Sequence, residues 1–92
     1  MRKQDIRAAI IAKVAAVGGS YRSWRIGLTH DPKERKTYWD RQNEDTDSWT
    51  HWRADSLADA QDIESYFINE TGMKGGPGGD LLPNKTVFVY TF

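Results

Sequence analysis

A strand pattern that leads directly into a complete helix start signal constrains the fold of this chain more than any other feature. Residues 21–28 alternate between polar and apolar side chains, as a half-buried strand does, and the apolar positions are Trp24, Ile26 and Leu28. Asp31 then stands where a side chain caps a helix, Pro32 takes the first helical position, and Glu34 completes a capping box. We therefore predict a strand followed closely by a helix that runs to about residue 42.

Two further strands and two further helices are predicted around this unit. In chain order, the predicted elements are a helix over 3–17, the strand over 21–28, the helix over 32–42, a short strand over 49–53, a helix over 57–71 and a strand over 86–92. This α-β-α-β-α-β order predicts one small α/β (α+β) domain over residues 1–92, in which three helices flank a three-stranded sheet. The glycine-rich segment 72–79 is predicted to be a flexible loop, with a phosphate-cradling loop as the alternative.

Charge is unevenly distributed along the chain, although the formal net charge is zero. Residues 1–41 hold ten lysines and arginines against four acidic residues, whereas residues 42–92 hold three against nine. The basic half favours a binding face for a polyanion, unless the two halves neutralise each other on folding. The chain has no cysteine, which excludes disulfides and thiolate metal sites. It also has no apolar run long enough to span a membrane, so we expect a cytoplasmic protein without a membrane partner.

Glu64 occupies a position that conflicts with its chemistry. The apolar arc of the helix predicted over 57–71 consists of Leu57, Ala60, Ile63, Phe67 and Ile68. Glu64 falls within this arc when residues are placed about 100° apart. A carboxylate sheltered by apolar neighbours costs free energy unless it has a cationic or metal partner. We therefore expect Glu64 either to form an ion pair with Arg35 or Arg25, or to bind a metal or act as an acid or base.

Two segments of the chain resemble the GIY-YIG nuclease superfamily. The stretch WRIGLTHDPKER, from Trp24 to Arg35, is similar to the second half of that motif, in which a strand ending in Tyr-Ile-Gly-x-Thr precedes a capped helix that presents an arginine. The stretch AQDIESYFI, over 60–68, resembles a later helix of the family, where aromatic residues and an isoleucine follow a glutamate. The resemblance covers about residues 21–70.

This resemblance implies a magnesium-dependent endonuclease site. In the family, the glutamate holds a single divalent metal, usually magnesium, and the arginine stabilises the phosphate that is cleaved. Carried over to this chain, Glu64 would be the metal ligand and Arg35 the phosphate clamp, since magnesium prefers oxygen ligands and guanidinium matches two phosphate oxygens. The remaining residues expected to bind DNA or RNA are the basic side chains of Arg22, Arg25, Lys33 and Lys36.

The sequence departs from the family at its tyrosines. Arg25 replaces the tyrosine of Tyr-Ile-Gly, and the helix over 3–17 stands where the Gly-Ile-Tyr strand should be. Tyrosine supplies the general base of the family, so cleavage requires a substitute. The candidate substitutes are Tyr21, Tyr38 and Tyr90.

Strand pairing selects one of these tyrosines. The strand over 21–28 needs a neighbour, because an exposed apolar edge promotes aggregation. The strand over 86–92 is the stronger candidate, and pairing would bring Tyr90 to the sheet in place of the missing family tyrosine. We also expect Arg35 and Glu64 to face one concave surface.

Two functions are therefore expected from the sequence. The first is a nucleic-acid-binding domain that hydrolyses phosphodiester bonds with magnesium if a tyrosine is supplied. The second is a catalytically inactive module or inhibitor that binds a protein partner through its acidic half and the aromatic region over 39–52. In that region, Trp39 and Trp49 are candidates for stacking surfaces, whereas Trp24 and Trp52 are expected in the core.

Overall fold

The fold is a mixed four-stranded β-sheet with helices packed against both of its faces. The computed structural model describes residues 1–76 and 80–92. Their helices and strands, in chain order, are α1 (Lys3–Val17), β1 (Arg25–Thr29), α2 (Pro32–Arg41), β2 (Thr50–Arg53), α3 (Leu57–Tyr66), β3 (Lys74–Gly75) and β4 (Phe88–Thr91). A 3-10 turn over Tyr21–Ser23 precedes β1, and a π-helical turn over Phe67–Thr71 continues α3. Within this described part of the chain, every helix is too short or too polar to cross a membrane.

The last strand of the chain lies in the middle of the sheet. The strand order is β2-β4-β1-β3, and β4 is antiparallel to both of its neighbours. Gly27 of β1 stands opposite Tyr90 of β4 in the register. The predicted pairing of the strand over 86–92 with the strand over 21–28 is therefore confirmed, and Tyr90 reaches the centre of the sheet.

The prediction of three strands is wrong because the glycine-rich segment supplies a fourth. Lys74 and Gly75 form β3, which pairs in parallel with Arg25 and Ile26 of β1. A two-residue strand has no alternation to detect, so only its neighbour in the fold defines it. The rest of the predicted loop includes residues 77–79, which lie outside the described residues.

The first strand is also shorter than predicted, because its opening residues form a turn. The backbone N–H and the hydroxyl of Ser23 both donate to the carbonyl oxygen of Ser20, at 3.0 and 2.7 Å. Trp24 nevertheless shares its face with Ile26 and Leu28, as the alternation predicts, and all three are buried. The turn therefore changes where the strand starts but not which side chains enter the core.

The larger core lies between the sheet and the helices α1 and α3. Ile6, Ile10 and Val14 of α1 are buried at helical spacing, as predicted. Ile63 of α3 is fully buried, and α3 packs against both β1 and β4. These apolar contacts hold α3, and with it Glu64, against the centre of the sheet.

A smaller aromatic cluster holds α2 against the opposite face of the sheet. Trp39 of α2 packs with Tyr90 and Phe92, and the half-buried Trp49 covers them. The expectation that Trp39 offers an exposed stacking surface is wrong, since the side chain is only 5% exposed. Asp31 accepts a hydrogen bond from the backbone N–H of Glu34 at 3.1 Å, which confirms the predicted start of α2.

Part of the charge asymmetry is neutralised when the two halves pack together. Lys3 pairs with Asp62 at 3.1 Å, the N-terminal ammonium group with Asp55 at 3.0 Å, and Arg25 with Glu44 at 3.5 Å. Among the described residues, Lys33 and Arg35 of α2 have no such partner. The basic side chains of the first half that have no such partner among the described residues are divided between α2 and the segment before β1, where they are Arg7, Lys13 and Arg22.

Candidate functional site

The aromatic ring of Tyr90 lies directly over Gly27 of the neighbouring strand. A Cβ atom on Gly27 would stand 2.2 Å from the Tyr90 hydroxyl oxygen and 2.4 Å from its Cζ atom, closer than any real Cβ contact. The hydroxyl also lies beside Gly76, where a Cβ atom would be 2.9 Å away. Two glycines therefore make the space in which the Tyr90 hydroxyl crosses β1.

The Tyr90 hydroxyl has an unused proton. Trp39 donates its indole N–H to the hydroxyl oxygen at 3.0 Å, while Tyr90 itself is only 1% exposed. Within residues 1–76 and 80–92, no acceptor takes the hydroxyl hydrogen. Burial raises the pKa of Tyr90 above its ordinary value, against the lowering effects of the Trp39 hydrogen bond and of Arg35 and Arg25, while Glu64 raises it further. The hydroxyl is therefore protonated at neutral pH, and it can donate to a ligand only after the side chains that bury it move aside.

Arg35 stands on α2 at the edge of a cleft. Its guanidinium group lies over the ring of Tyr38, 5.0 Å from the centroid. Arg35, Tyr38 and His30 contribute to the lining of this cleft, which has a volume of about 220 Å³ and which we call the Arg35 cleft. In the described part of the chain, no carboxylate lies within ion-pair distance of Arg35. An arginine without a carboxylate partner at a cleft is suited to bind a phosphate.

His30 fixes the rim of the Arg35 cleft. Its Nδ1 lies 2.8 Å from the carbonyl oxygen of Thr86, and the backbone N–H of Leu82 donates to its Nε2 at 2.9 Å. A carbonyl can only accept and an N–H can only donate, so the ring hydrogen of His30 is on Nδ1. Both ring nitrogens are thus used in holding the 82–86 segment, and His30 is a structural residue.

Glu64 is half-buried on α3 and lacks the ion pair that the sequence suggested. Among the described residues, no cation lies within 4.0 Å of its carboxylate, and Arg25 pairs with Glu44 instead. The expected salt bridge to Arg35 or Arg25 is therefore wrong. Burial raises the pKa of the Glu64 carboxyl, and no hydrogen bond or charge within the described residues offsets this effect.

Magnesium is the cofactor that a lone carboxylate of this kind fits. The described residues contain no group of three or more histidine or acidic side chains able to hold a metal by themselves. Magnesium, however, usually binds through one or two carboxylates and completes its shell with water and substrate phosphates. The unpaired carboxylate of Glu64 is compatible with that kind of site.

The other predicted nucleic-acid-binding residues lie in different places. Arg25 is largely enclosed, because it donates to the carbonyl oxygen of Gly75 at 2.6 Å and lies 4.4 Å over the ring of Trp39. Arg22 is exposed in the turn before β1. Lys33 and Lys36 stand on α2 beside Arg35. Arg25 thus has a structural task. Lys33 has no carboxylate partner among the described residues, and Lys36 contacts only the partly exposed Asp40, at 3.6 Å, so both lysines can face a polyanion.

The contacts among Gly27, Trp39 and Tyr90 are the part of the site that the sequence did not reveal. A glycine within a strand pattern signals that another group approaches closely, but it does not say which group. Tyr21, the third candidate tyrosine, instead stacks on Phe67, with 6.4 Å between the ring centroids. Tyr38 contacts Arg35 directly, whereas Tyr90 is buried against Trp39 of the same helix.

We expect Glu64→Gln to raise the free energy of unfolding at pH 7. Because burial raises the pKa of Glu64 above its ordinary value of 4.5, the folded protein binds more protons than the unfolded chain between the two pKa values. Stability therefore falls as pH rises through that interval. The free-energy cost of burying the ionised carboxylate is fully present above the pKa that Glu64 has in the folded protein. It is absent below the pKa that Glu64 has in the unfolded chain. Glutamine carries no charge and therefore removes this cost at pH 7.

Urea unfolding at pH 7 and below pH 4.5 measures this effect. The advantage of Glu64→Gln over the native chain should disappear at the lower pH, where Glu64 is protonated in both states. Glu70→Gln, at an exposed position of the turn after α3, is the matched control and should show no comparable gain. A loss of stability in Glu64→Gln at pH 7 would mean that the carboxylate makes a stabilising contact.

Comparisons with models of known protein families, with curated proteins and with solved structures find no match to this chain. The function of the protein is therefore inferred from its own residues, above all Tyr90, Arg35 and Glu64.

Proposed function

We propose that this protein binds DNA or RNA and hydrolyses phosphodiester bonds with magnesium. The observation that carries the proposal is the placement of Tyr90, whose ring lies over Gly27 and whose hydroxyl oxygen accepts a hydrogen bond from Trp39 of α2, the helix that also carries Arg35. A tyrosine, an arginine and an unpaired carboxylate from three different elements are the groups that the resemblance to GIY-YIG nucleases implies. Tyr90 and Arg35 lie on the α2 side of the sheet, whereas α3, which carries Glu64, packs against the other face. The three residue types therefore support the relationship by their chemistry.

The topology supplies a reason for the missing first strand. In this chain, β4 pairs antiparallel with β1, which carries the residues that resemble Tyr-Ile-Gly. The strand that bears the tyrosine would thus come from the end of the chain instead of the beginning. Tyr90 is then the substitute for the absent family tyrosine, and α1 is free to cover the other face of the sheet.

Each residue of the site has a distinct role in this proposal. Arg35 would bind the scissile phosphate with its two parallel N–H donors. Glu64 would hold magnesium, which supplies Lewis-acid stabilisation of the phosphate charge. Because burial raises its pKa, Tyr90 stays protonated and would not be the general base. Its hydroxyl would donate a hydrogen bond to an oxygen of the reacting phosphate once the side chains that bury it move aside. The attacking water, whose pKa a bound metal lowers, would give its proton to solvent.

Binding of mixed-sequence DNA and RNA oligonucleotides, followed by fluorescence anisotropy without a divalent cation, tests the first half of the proposal. We expect affinity to fall steeply with salt, because each neutralised phosphate releases counterions. Arg35→Ala should weaken binding about tenfold, as loss of a charge-assisted phosphate contact does. Arg41→Ala removes the same charge from the last turn of the same helix and serves as the control.

Cleavage of the same oligonucleotides with magnesium tests the second half. Glu64→Gln should abolish cleavage and leave binding in place. Binding without cleavage by the native protein would make the catalytic half wrong. Failure to bind any oligonucleotide at low salt would contradict the whole proposal and favour the protein-binding module, for which the partly exposed aromatic residues Trp49, His51 and Phe88 are the contact surface.

A further inference from the structure

A second cleft lies on the other side of α2 from the Arg35 cleft. It has a volume of about 420 Å³ and is lined by Trp49, His51 and Phe88 from the sheet side and by Lys33 and Lys36 from α2. We call it the aromatic cleft. The Arg35 cleft uses Glu34, Arg35 and Tyr38 of the same helix, so α2 separates the two clefts.

The rings of the aromatic cleft are fixed in place. The indole of Trp49 stacks on Tyr90, with 4.6 Å between the centroids and 10° between the planes. Its N–H donates to Nδ1 of His51 at 3.0 Å, so the ring hydrogen of the neutral imidazole is on Nε2. His51 in turn packs edge-on against Phe88, with 5.7 Å between the centroids. The cleft therefore offers an aromatic surface that is already ordered before a ligand arrives.

The charges beside these rings favour an anionic ligand. Lys33 has no carboxylate partner among the described residues. Lys36 contacts Asp40 at 3.6 Å, but both side chains are almost half exposed, and pairs of this kind contribute little. Asp31, the acidic residue that lines the cleft, already accepts the N-terminal hydrogen bond of α2. A ligand with flat rings and negative charge fits this combination.

We propose that the aromatic cleft stacks an unpaired nucleobase while Lys33 and Lys36 contact the adjoining phosphates. A base within a duplex is covered on both faces and paired at its edge, so it cannot enter such a cleft without leaving the stack. The nucleic acid bound here is therefore single-stranded, or unpaired at this position. This inference rests on the proposed function, which it extends by naming the class of substrate.

The position of the cleft relative to Tyr90 agrees with this assignment. Trp49 stacks on Tyr90, so a base in the aromatic cleft lies close to the aromatic layer that holds the candidate catalytic hydroxyl. The backbone on either side of that base would pass α2, where Lys33, Lys36 and Arg35 stand. A single strand crossing this helix can thus reach both clefts.

An abasic oligonucleotide separates base stacking from phosphate binding. We would measure anisotropy, without divalent cations, for an oligothymidylate of about twenty nucleotides, its abasic analogue of equal length and a duplex of mixed sequence. The native protein should bind oligothymidylate about tenfold more tightly than the abasic analogue, since stacking one base contributes that much. The duplex should bind no better than the abasic strand.

Variants of the aromatic cleft test whether the preference for oligothymidylate over the abasic strand arises there. His51→Ala, at an exposed position, should bring the affinity for oligothymidylate down to that of the abasic strand, and Phe88→Leu provides a second test if the first variant fails to fold. Lys33→Ala should weaken binding of both strands to a similar degree. Lys13→Ala removes the same charge from α1, on the opposite face of the sheet, and should change neither affinity.

The outcomes distinguish this inference from the proposed function. Equal affinity for oligothymidylate and the abasic strand would overturn base stacking but leave phosphate binding standing. An unchanged preference in both His51→Ala and Phe88→Leu would also overturn it, because the base would then lie elsewhere. No binding of any oligonucleotide would overturn both proposals and leave the aromatic cleft to a protein partner.

Discussion

Gly27→Ala is expected to destabilise the fold by about 3 kcal/mol, at the upper end of what overpacking a core costs. The new methyl group would overlap the Tyr90 hydroxyl oxygen at 2.2 Å and its Cζ atom at 2.4 Å, so the ring must leave its place. Tyr90 is almost fully buried against Trp39 and Trp49, and a close-packed interior gives a ring little room to shift. Chemical denaturation monitored by circular dichroism measures the loss.

Gly75→Ala is the matched control for this change. Both glycines lie in strands and neither has a positive φ, so alanine brings no backbone strain at either position. At Gly75, however, the new Cβ meets only the terminal Cδ1 of Ile68, at 3.1 Å, and a flexible side chain can move away. We expect a loss of about 1 kcal/mol or less there.

A double-mutant cycle identifies the Tyr90 ring as the cause. In a Tyr90→Leu background, Gly27→Ala should cost much less than in the native chain, because the overlapping atoms are gone. Additive losses from the two changes would show that Gly27 is needed for another reason.

Tyr90→Phe is expected to lower magnesium-dependent cleavage about 100-fold to 1,000-fold, the range lost when one hydrogen-bond donor to the developing charge is removed. The substitution keeps the ring over Gly27 and removes only the hydroxyl. It also leaves the indole N–H of Trp39 without its acceptor, which should destabilise the fold by about 1–3 kcal/mol. Cleavage is therefore compared well below the melting temperature of the variant.

Tyr38→Phe is the control, because it makes the same chemical change at a partly exposed hydroxyl beside Arg35. We expect it to retain cleavage. The reverse result, with activity lost in Tyr38→Phe and kept in Tyr90→Phe, would assign the role to Tyr38. Full activity in both variants would remove tyrosine from the mechanism.

Local signals in the sequence determined the helices and the approximate strands. The apolar spacing of Ile6, Ile10 and Val14 and the positive φ of Gly18 give α1 the predicted bounds, and Asp31 starts α2 where a capping side chain should. These signals are readable because they depend on residues a few positions apart in the chain. The same periodicity exposed Glu64 as a carboxylate on an apolar arc, which the structure confirms as half-buried.

Contacts between distant segments decided the rest. The sequence did not show β3, because its two residues gain their hydrogen-bond partners only when the chain returns to β1. It also predicted that Arg25 binds nucleic acid or pairs with Glu64, whereas Gly75, Glu44 and Trp39 together enclose it. In both cases the deciding partner lies far along the chain, where no local pattern reports it.

The site combines both kinds of information. Helical periodicity in the sequence singled out Glu64, and the resemblance to GIY-YIG nucleases added Arg35 and, with the predicted strand pairing, Tyr90. Only the tertiary structure placed the ring of Tyr90 over Gly27 and its hydroxyl oxygen within hydrogen-bond distance of the Trp39 indole N–H. The strand register and the packing of α2 determine which of these side chains meet. Residue types can suggest a chemistry, but its geometry arises when separate elements pack into one volume.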